Sequence, residues 1–209
     1  MIDADKQRWD ERYRNEGYAY GTTPNLFFRE QLGKLRPGSL LLPADGEGRN
    51  GVFAAEKGWG VTSFDLSAAG REKALKLAGE RGVALNYLVG DLPELSLQPA
   101  SFDAIGLIYA HFAADRKSAY HRELTRYLKP GGTVILEGFS KNHLVLRQAN
   151  PGAGGPDNLP MLFSTEEIRA DFEGFKIEVL EEVSAFLEEG KYHNGNSSVV
   201  RFVGTKTRV

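Results

Sequence analysis

Six residues, Gly46-Glu47-Gly48-Arg49-Asn50-Gly51, follow a short apolar run and open a helical pattern. Glycines at these spacings let the backbone turn sharply and approach a ligand at a helix N-terminus. Asp65 ends the next apolar run, 19 residues after Gly46. That is the distance at which a carboxylate reaches the two hydroxyls of a ribose. Glycine loop and acid together fit either a nicotinamide dinucleotide or S-adenosylmethionine, since both place an adenosine ribose there. Asp45 and Glu47 favour the second. Two carboxylates beside a helix N-terminus oppose a pyrophosphate but suit an ammonium and a sulfonium. Gly90-Asp91-Leu92 closes a third strand, where a carboxylate can accept from an adenine amino group. A plain strand–helix turn without any ligand is the remaining reading.

The elements that must hold these groups follow from periodicity. Leu40 to Leu42, Gly60 to Asp65, Ala84 to Val89, Phe102 to Ile108 and Thr133 to Glu137 read as strands. Helical patterns alternate with them: Val52 to Lys57, a helix capped by Ser67, and Asp115 to Leu128 with Tyr120, Leu124, Tyr127 and Leu128 on one face. Such alternation means βαβ units and a parallel sheet, an α/β fold. Phe175 to Val183 and Ser198 to Lys206 have no helix between them and should pair antiparallel, unlike a dinucleotide half-fold. Ser164 and Glu167 form a capping box for a short helix. The expected layout is one domain over 1–209. It has a helical cap over 1–37, a cofactor-binding core over 38–139 and a lid loop over 140–162. A C-terminal helix and strand pair fill 163–209.

Composition limits the function classes. The 209 residues include no cysteine, which removes disulfides, thiolate metal sites and cysteine nucleophiles. Lys plus Arg total 26 against 28 Asp plus Glu. That balance argues against nucleic acid, whose binding rests on phosphate neutralisation. No apolar run approaches the 18 or so residues that span a bilayer, and no secretory leader is visible at the N-terminus. A cytoplasmic protein acting on a small molecule, without membrane or nucleic-acid partner and without a metal, is expected.

Leu41 to Asn50 (LLPADGEGRN), Val61 to Ser67 (VTSFDLS), Gly90-Asp91-Leu92, Phe102-Asp103 and Leu128 to Gly132 (LKPGG) occur in that order. Together they resemble the class I S-adenosylmethionine-dependent methyltransferases. Trp9 to Tyr13, Tyr20 to Asn25 and Glu189-Gly190-Lys191-Tyr192-His193 resemble the small bacterial subgroup related to tellurite-resistance and thiopurine methyltransferases. The resemblance implies a Rossmann-like, doubly wound seven-stranded sheet of order 3-2-1-4-5-7-6 with strand 7 antiparallel. It implies S-adenosylmethionine as cofactor and S-adenosylhomocysteine as product. Contacts would come from Ala44, Gly46 and Gly48 at the methionine end, with Asn50 in the same loop. Asp65 and Leu66 would meet the ribose, Asp91 and Leu92 the adenine, and Tyr109 would follow strand four. Two positions depart from the family: Leu42 stands where most members end strand one in an acid, and Ala44 replaces the first loop glycine. Asp45 can supply the missing carboxylate. An oxidoreductase on the same loop, or a cofactor-binding regulator without transfer, are the alternatives.

A methyl group on a sulfonium is already activated, so the protein must mainly position an acceptor and, where needed, remove a proton. Ile108-Tyr109-Ala110-His111-Phe112 is not the Asn/Asp-Pro-Pro-Tyr motif that grips amide nitrogens, and no acidic cluster suits magnesium. His111, after strand four, and His193, before the last strand, are the candidate catalytic residues, expected to orient a soft sulfur, selenium or tellurium nucleophile. Trp9, Tyr20 and Arg201 are candidates for the acceptor pocket. His121 reads as a surface residue of an amphipathic helix and His143 as a loop residue.

Overall fold

The computed structural model describes residues 2–207. Seven strands form one sheet: β1 (Ser39–Pro43), β2 (Gly60–Asp65), β3 (Asn86–Val89), β4 (Phe102–Ile108), β5 (Leu128–Phe139), β6 (Phe175–Glu188) and β7 (Asn194–Lys206). Their order is β3-β2-β1-β4-β5-β7-β6, parallel except that β7 runs antiparallel to both β5 and β6. This is the expected doubly wound arrangement.

Seven helices accompany the sheet: α1 (Ile2–Arg14), α2 (Leu26–Leu32), α3 (Arg49–Glu56), α4 (Ala68–Glu80), α5 (Lys117–Tyr127), α6 (His143–Ala149) and α7 (Thr165–Asp171). Strand residues alternate between the two faces. Leu40, Leu42, Ala104, Ile108 and Ile135 pack with Phe27, Phe28 and Leu32 of α2 and Ala54 of α3. Leu41, Ile105, Leu107, Val134 and Leu136 pack on the other face with Tyr120 and Leu124 of α5 and Ile168 and Phe172 of α7. Both faces of β1 and β4 are therefore buried, as in any central parallel strand. Burying each of these large apolar side chains is worth about 1.5–3 kcal/mol, and this fixes the strand ends that carry the site.

Three expectations change. The segment between β5 and α7 is not an open loop: it contains α6 and two short 3-10 turns (Pro151–Ala153 and Leu159–Met161). It is fastened down by Lys117, whose buried Nζ donates to Pro160 O and Leu162 O at 3.0 and 2.8 Å. It is a roof. Secondly, β6 and β7 are longer than their apolar cores suggested, because their facing ends, Ser184 to Glu188 and Asn194 to Ser197, are rich in polar residues and read as a connection. Their connection shrinks to residues 189–193. Thirdly, His121 and His143 are fully buried. His121 Nδ1 lies 2.8 Å from Asp171 Oδ2 between α5 and α7, and His143 Nε2 lies 3.0 Å from Gly154 O. Among the described residues no helix is long and apolar enough to cross a membrane.

Candidate active site

A pocket of about 300 Å³ opens at the carboxyl ends of β1 to β5, where the strand order reverses between β1 and β4. Ligands of open α/β sheets bind at that reversal. One half of the pocket is acidic. Asp65 ends β2; its Oδ2 accepts from Gly46 N at 3.1 Å and its Oδ1 from Ser67 N at 2.9 Å. The carboxylate thus joins the glycine loop to the start of α4, and each oxygen retains capacity for another donor. Burial pushes its pKa up to about 6 against these hydrogen bonds. Asp45, just after β1, is pushed further, to about 7, by burial and the Asp65 charge, with Ser63 Oγ opposing from 2.7 Å. Its Oδ1 is buried with no partner.

The turn between β1 and α3 uses three residues at positive φ: Ala44 at 53°, Gly46 at 55° and Gly48 at 82°. Ala44 therefore keeps the left-handed conformation that its glycine counterpart would adopt, at a cost of about 1–2 kcal/mol. Glu47 is committed elsewhere, accepting from Ala19 N at 2.7 Å and from Lys73 Nζ at 2.9 Å. Its charge is paired, so of the two loop acids only Asp45 bears on ligand charge. Asp91 is likewise held: Oδ2 accepts from Tyr120 Oη at 2.7 Å and Arg116 Nη1 at 2.9 Å.

The other half is aromatic. The His193 ring lies 4.5 Å from Tyr20, 4.4 Å from Tyr109 and 5.1 Å from Phe139, centre to centre. Burial drives His193 down to about 4, against the neighbouring Glu189, so the ring is neutral at physiological pH. Tyr109 sits at φ 54°, strained for a bulky residue, and its hydroxyl donates to the buried Glu137 at 3.0 Å. His111 has both nitrogens engaged: Nδ1 donates to Met161 O and Nε2 accepts from Phe139 N, each at 3.0 Å. Burial holds it near 3, uncharged. At the mouth, the Arg12 guanidinium lies between Trp9 (4.9 Å) and Tyr192 (4.6 Å) and donates to Tyr20 Oη at 2.7 Å.

Residues 43–132 match the family model described as a methyltransferase domain. The match takes in under half of the chain and marks this stretch as similar to a methyltransferase domain. Malonyl-[acyl-carrier protein] O-methyltransferase of Erwinia pyrifoliae is 35% identical over 112 residues, 52% of this chain and 41% of that protein. The chain spans about two fifths of the length of the first curated relatives it matches. Among solved structures, a protein studied for the conversion of a disulfide bond into a thioacetal group during echinomycin biosynthesis aligns with a TM-score of 0.75. It is 21% identical, over 97% of this chain and 92% of that one. TehB from Haemophilus influenzae aligns with a TM-score of 0.70 at 12% identity, over 97% and 67%. At these identities the two structures establish the shared fold.

The pocket suits S-adenosylmethionine. An unpartnered buried carboxylate oxygen on Asp45 and a second buried acid at Asp65 form a donor-hungry, negative surface, which a cationic amino-acid sulfonium and a ribose diol complement. Of the sequence-derived cofactor residues, Ala44, Asp45, Gly46, Asn50, Asp65, Leu66, Asp91 and Tyr109 line the pocket. Gly48 does not: it caps α3 from beneath, packed so closely on Ala74 that a Cβ would lie 2.5 Å from that side chain. Leu92 is also absent from the lining, its side chain buried in the core.

Trp9, Tyr20, His111 and His193 all reach the same pocket. Arg201 does not; its Nε donates to Glu137 Oε2 at 2.6 Å and its guanidinium lies over Phe27 at 4.9 Å. An acid across the sheet on β5 therefore claims the arginine that strand alternation left open for an acceptor. Sequence reasoning also passed over Arg12, Tyr13, Arg116 and Phe139, which line the pocket. Arg12 and Tyr13 belong to a stretch whose likeness to a subgroup was visible, but nothing in their spacing shows that α1 folds over the pocket.

Proposed function

We propose that this chain transfers a methyl group from S-adenosylmethionine to a small-molecule acceptor through a soft sulfur, selenium or tellurium nucleophile. When bound, the cofactor supplies a methyl group already activated by a sulfonium. Asp65, Leu66 and the Ala44–Gly46 turn would hold the ribose and methionine portions, with Asp45 beside the ammonium and Asp91 toward the adenine. His193 presents an uncharged imidazole to the acceptor, and its aromatic neighbours exclude water. His111 braces the pocket wall by tying Met161 of the roof to Phe139 of β5.

The observation that supports the acceptor class is the enclosure of the His193 ring among Tyr20, Tyr109 and Phe139, where burial disfavours a charged imidazole. An imidazole held near 4 is a weak base. It can orient an acceptor that parts easily with its proton, whereas an alcohol needs a stronger base. A carboxylate acceptor is the second reading. It too needs no base, the matched Erwinia relative is an O-methyltransferase, and Arg12 has no carboxylate partner among the described residues. The test is a methyl-transfer assay over thiols, selenite, tellurite, carboxylic acids, phenols and amines, preceded by calorimetry with S-adenosylhomocysteine. Turnover confined to the sulfur, selenium or tellurium compounds is expected. Turnover of carboxylic acids alone would move the assignment to the second reading, and absence of cofactor binding would overturn both.

A further inference from the structure

The five-residue turn between β6 and β7 carries Glu189 and His193 at its two ends. Glu189 N donates to His193 O at 2.8 Å, which closes the turn. Gly190, at φ 73°, lets the turn press against the N-terminal segment so tightly that a Cβ there would meet Ala19 O, Gly21 N and Tyr20 C at 2.7 Å. Lys191 N donates to Ala19 O at 3.0 Å on the same side. The turn is therefore pinned over the pocket rather than free at a hairpin tip.

Glu189 is fixed at both oxygens. Oε2 accepts from Arg49 Nη2 at 2.8 Å and Oε1 from Asn25 Nδ2 at 2.9 Å, and both ion-pair side chains are largely buried. Burial alone would raise this carboxyl, but His193 and Arg49 outweigh it and hold it at about 2. An ionised carboxylate can only accept. The contact between His193 Nδ1 and Glu189 Oε2, at 3.3 Å, therefore needs a proton on Nδ1. The ring has one proton to place, so Nε2 is left as a bare lone pair. Among the described residues Nε2 has no partner, and it keeps some exposure on a residue that lines the pocket.

We propose that Glu189 is a positioning residue that locks His193 in its Nδ1–H tautomer, so that Nε2 selects acceptors arriving with a hydrogen to donate. This rests on the acceptor pocket being the one assigned above. It sharpens the acceptor class: a protonated thiol or selenol meets the lone pair favourably, whereas a bare oxyanion or carboxylate meets it with repulsion. The proton given up by the acceptor rests on Nε2, where Glu189 faces the imidazolium so formed. The other charged or titratable groups near the ring are Arg49, His143 and, across Phe139, His111, with the hydroxyls of Tyr20 and Tyr109 on the flanking rings.

The experiment is a long-range 1H–15N NMR spectrum of the histidine rings in the ligand-free protein at pH 7, which requires no acceptor. In the native protein His193 should show a protonated Nδ1 and an unprotonated Nε2, with the other tautomer below about one part in ten, as a charge-assisted hydrogen bond dictates. Glu189→Ala should release the lock and bring the Nε2–H form to a comparable or larger share. Glu189→Gln, which keeps the shape and can offer either an oxygen or an N–H, should give an intermediate mixture if the alanine variant does not fold. A native spectrum with the proton on Nε2, or variant spectra superposing on the native one, would overturn the assignment of Glu189. Neither outcome touches the cofactor reading, which calorimetry tests separately.

Discussion

The two halves of the pocket solve opposite electrostatic problems. Under β1 and β2, two acids are buried close together and partly starved of donors, so both titrate well above ordinary carboxylates. Under β4, β5 and β7, two histidines are buried among aromatic rings and titrate well below ordinary imidazoles. Burial is the leading cause in all four cases, and it acts against whichever form is charged. The outcome differs because of what each half lacks. The acids await positive charge and hydrogen-bond donors; the imidazoles are complete as neutral groups, and only His193 keeps a free lone pair. On the function proposed above, the first half would receive the cationic cofactor and the second the acceptor.

The largest test of this contrast is Asp65→Ala. Losing a carboxylate proposed to take two ribose hydroxyls, at roughly 1.5–3 kcal/mol each, should weaken S-adenosylhomocysteine about a hundredfold or more by calorimetry. A change under threefold would break the acidic half of the comparison. Next is His193→Ala, expected to lower turnover of a thiol acceptor by about ten- to a hundredfold, at the low end of the 10²–10⁴ that a general base commands. Cofactor affinity should stay unchanged, and a parallel loss of both would mean the two halves are not separable. Asp45→Asn should weaken S-adenosylmethionine several-fold, about 1 kcal/mol for a group facing an ammonium. It should spare 5′-methylthioadenosine, which lacks the amino-acid portion; equal loss would reduce Asp45 to shaping the turn. Smallest is Ala44→Gly. Relief of left-handed strain and the greater freedom of an unfolded glycine nearly cancel, so thermal unfolding should shift by less than about 1 kcal/mol.

The same contrast explains what was legible in the sequence. The acidic half is written in short consecutive stretches, Pro43 to Asn50 and Phe64 to Ser67, each ending one strand and starting one helix. A local motif suffices to place Asp45 and Asp65. The aromatic half draws Tyr20, Tyr109, Phe139 and His193 from four distant segments, and only the assembled sheet brings them together. Glu189 was visible as part of a likeness to a subgroup, yet its partners Asn25 and Arg49 lie 164 and 140 residues away in sequence. Arg201 shows the opposite failure. Its strand position was readable, but the acid opposite it in register, Glu137, was not. Strand order followed from periodicity, whereas α6 and the facing ends of β6 and β7 did not, because Asn194 to Ser197 and the partly polar Ser184 to Glu188 carry no continuous apolar signal.

Asp45 carries a thermodynamic consequence for the molecule as a whole. A buried acid whose folded pKa is raised, from 3.8 to about 7, favours the folded state fully only below pH 4 and withdraws that favour as pH rises to 7. Asp65 does the same up to about 6. His111 and His193, with lowered values, add stability as pH climbs to 6.5 from about 3 and about 4 respectively, so the two pairs offset one another across most of that window. Near neutrality the histidines have nothing more to give while Asp45 is still ionising, and the ligand-free chain is left holding charge it would rather shed. A bound cation relieves it. The melting-temperature gain from S-adenosylmethionine should therefore widen between pH 5.5 and 7.5, with protons released on binding at the lower end. Calorimetric heats should then track the ionisation enthalpy of the buffer. On that reading the domain gives up resting stability near neutral pH and regains it on loading.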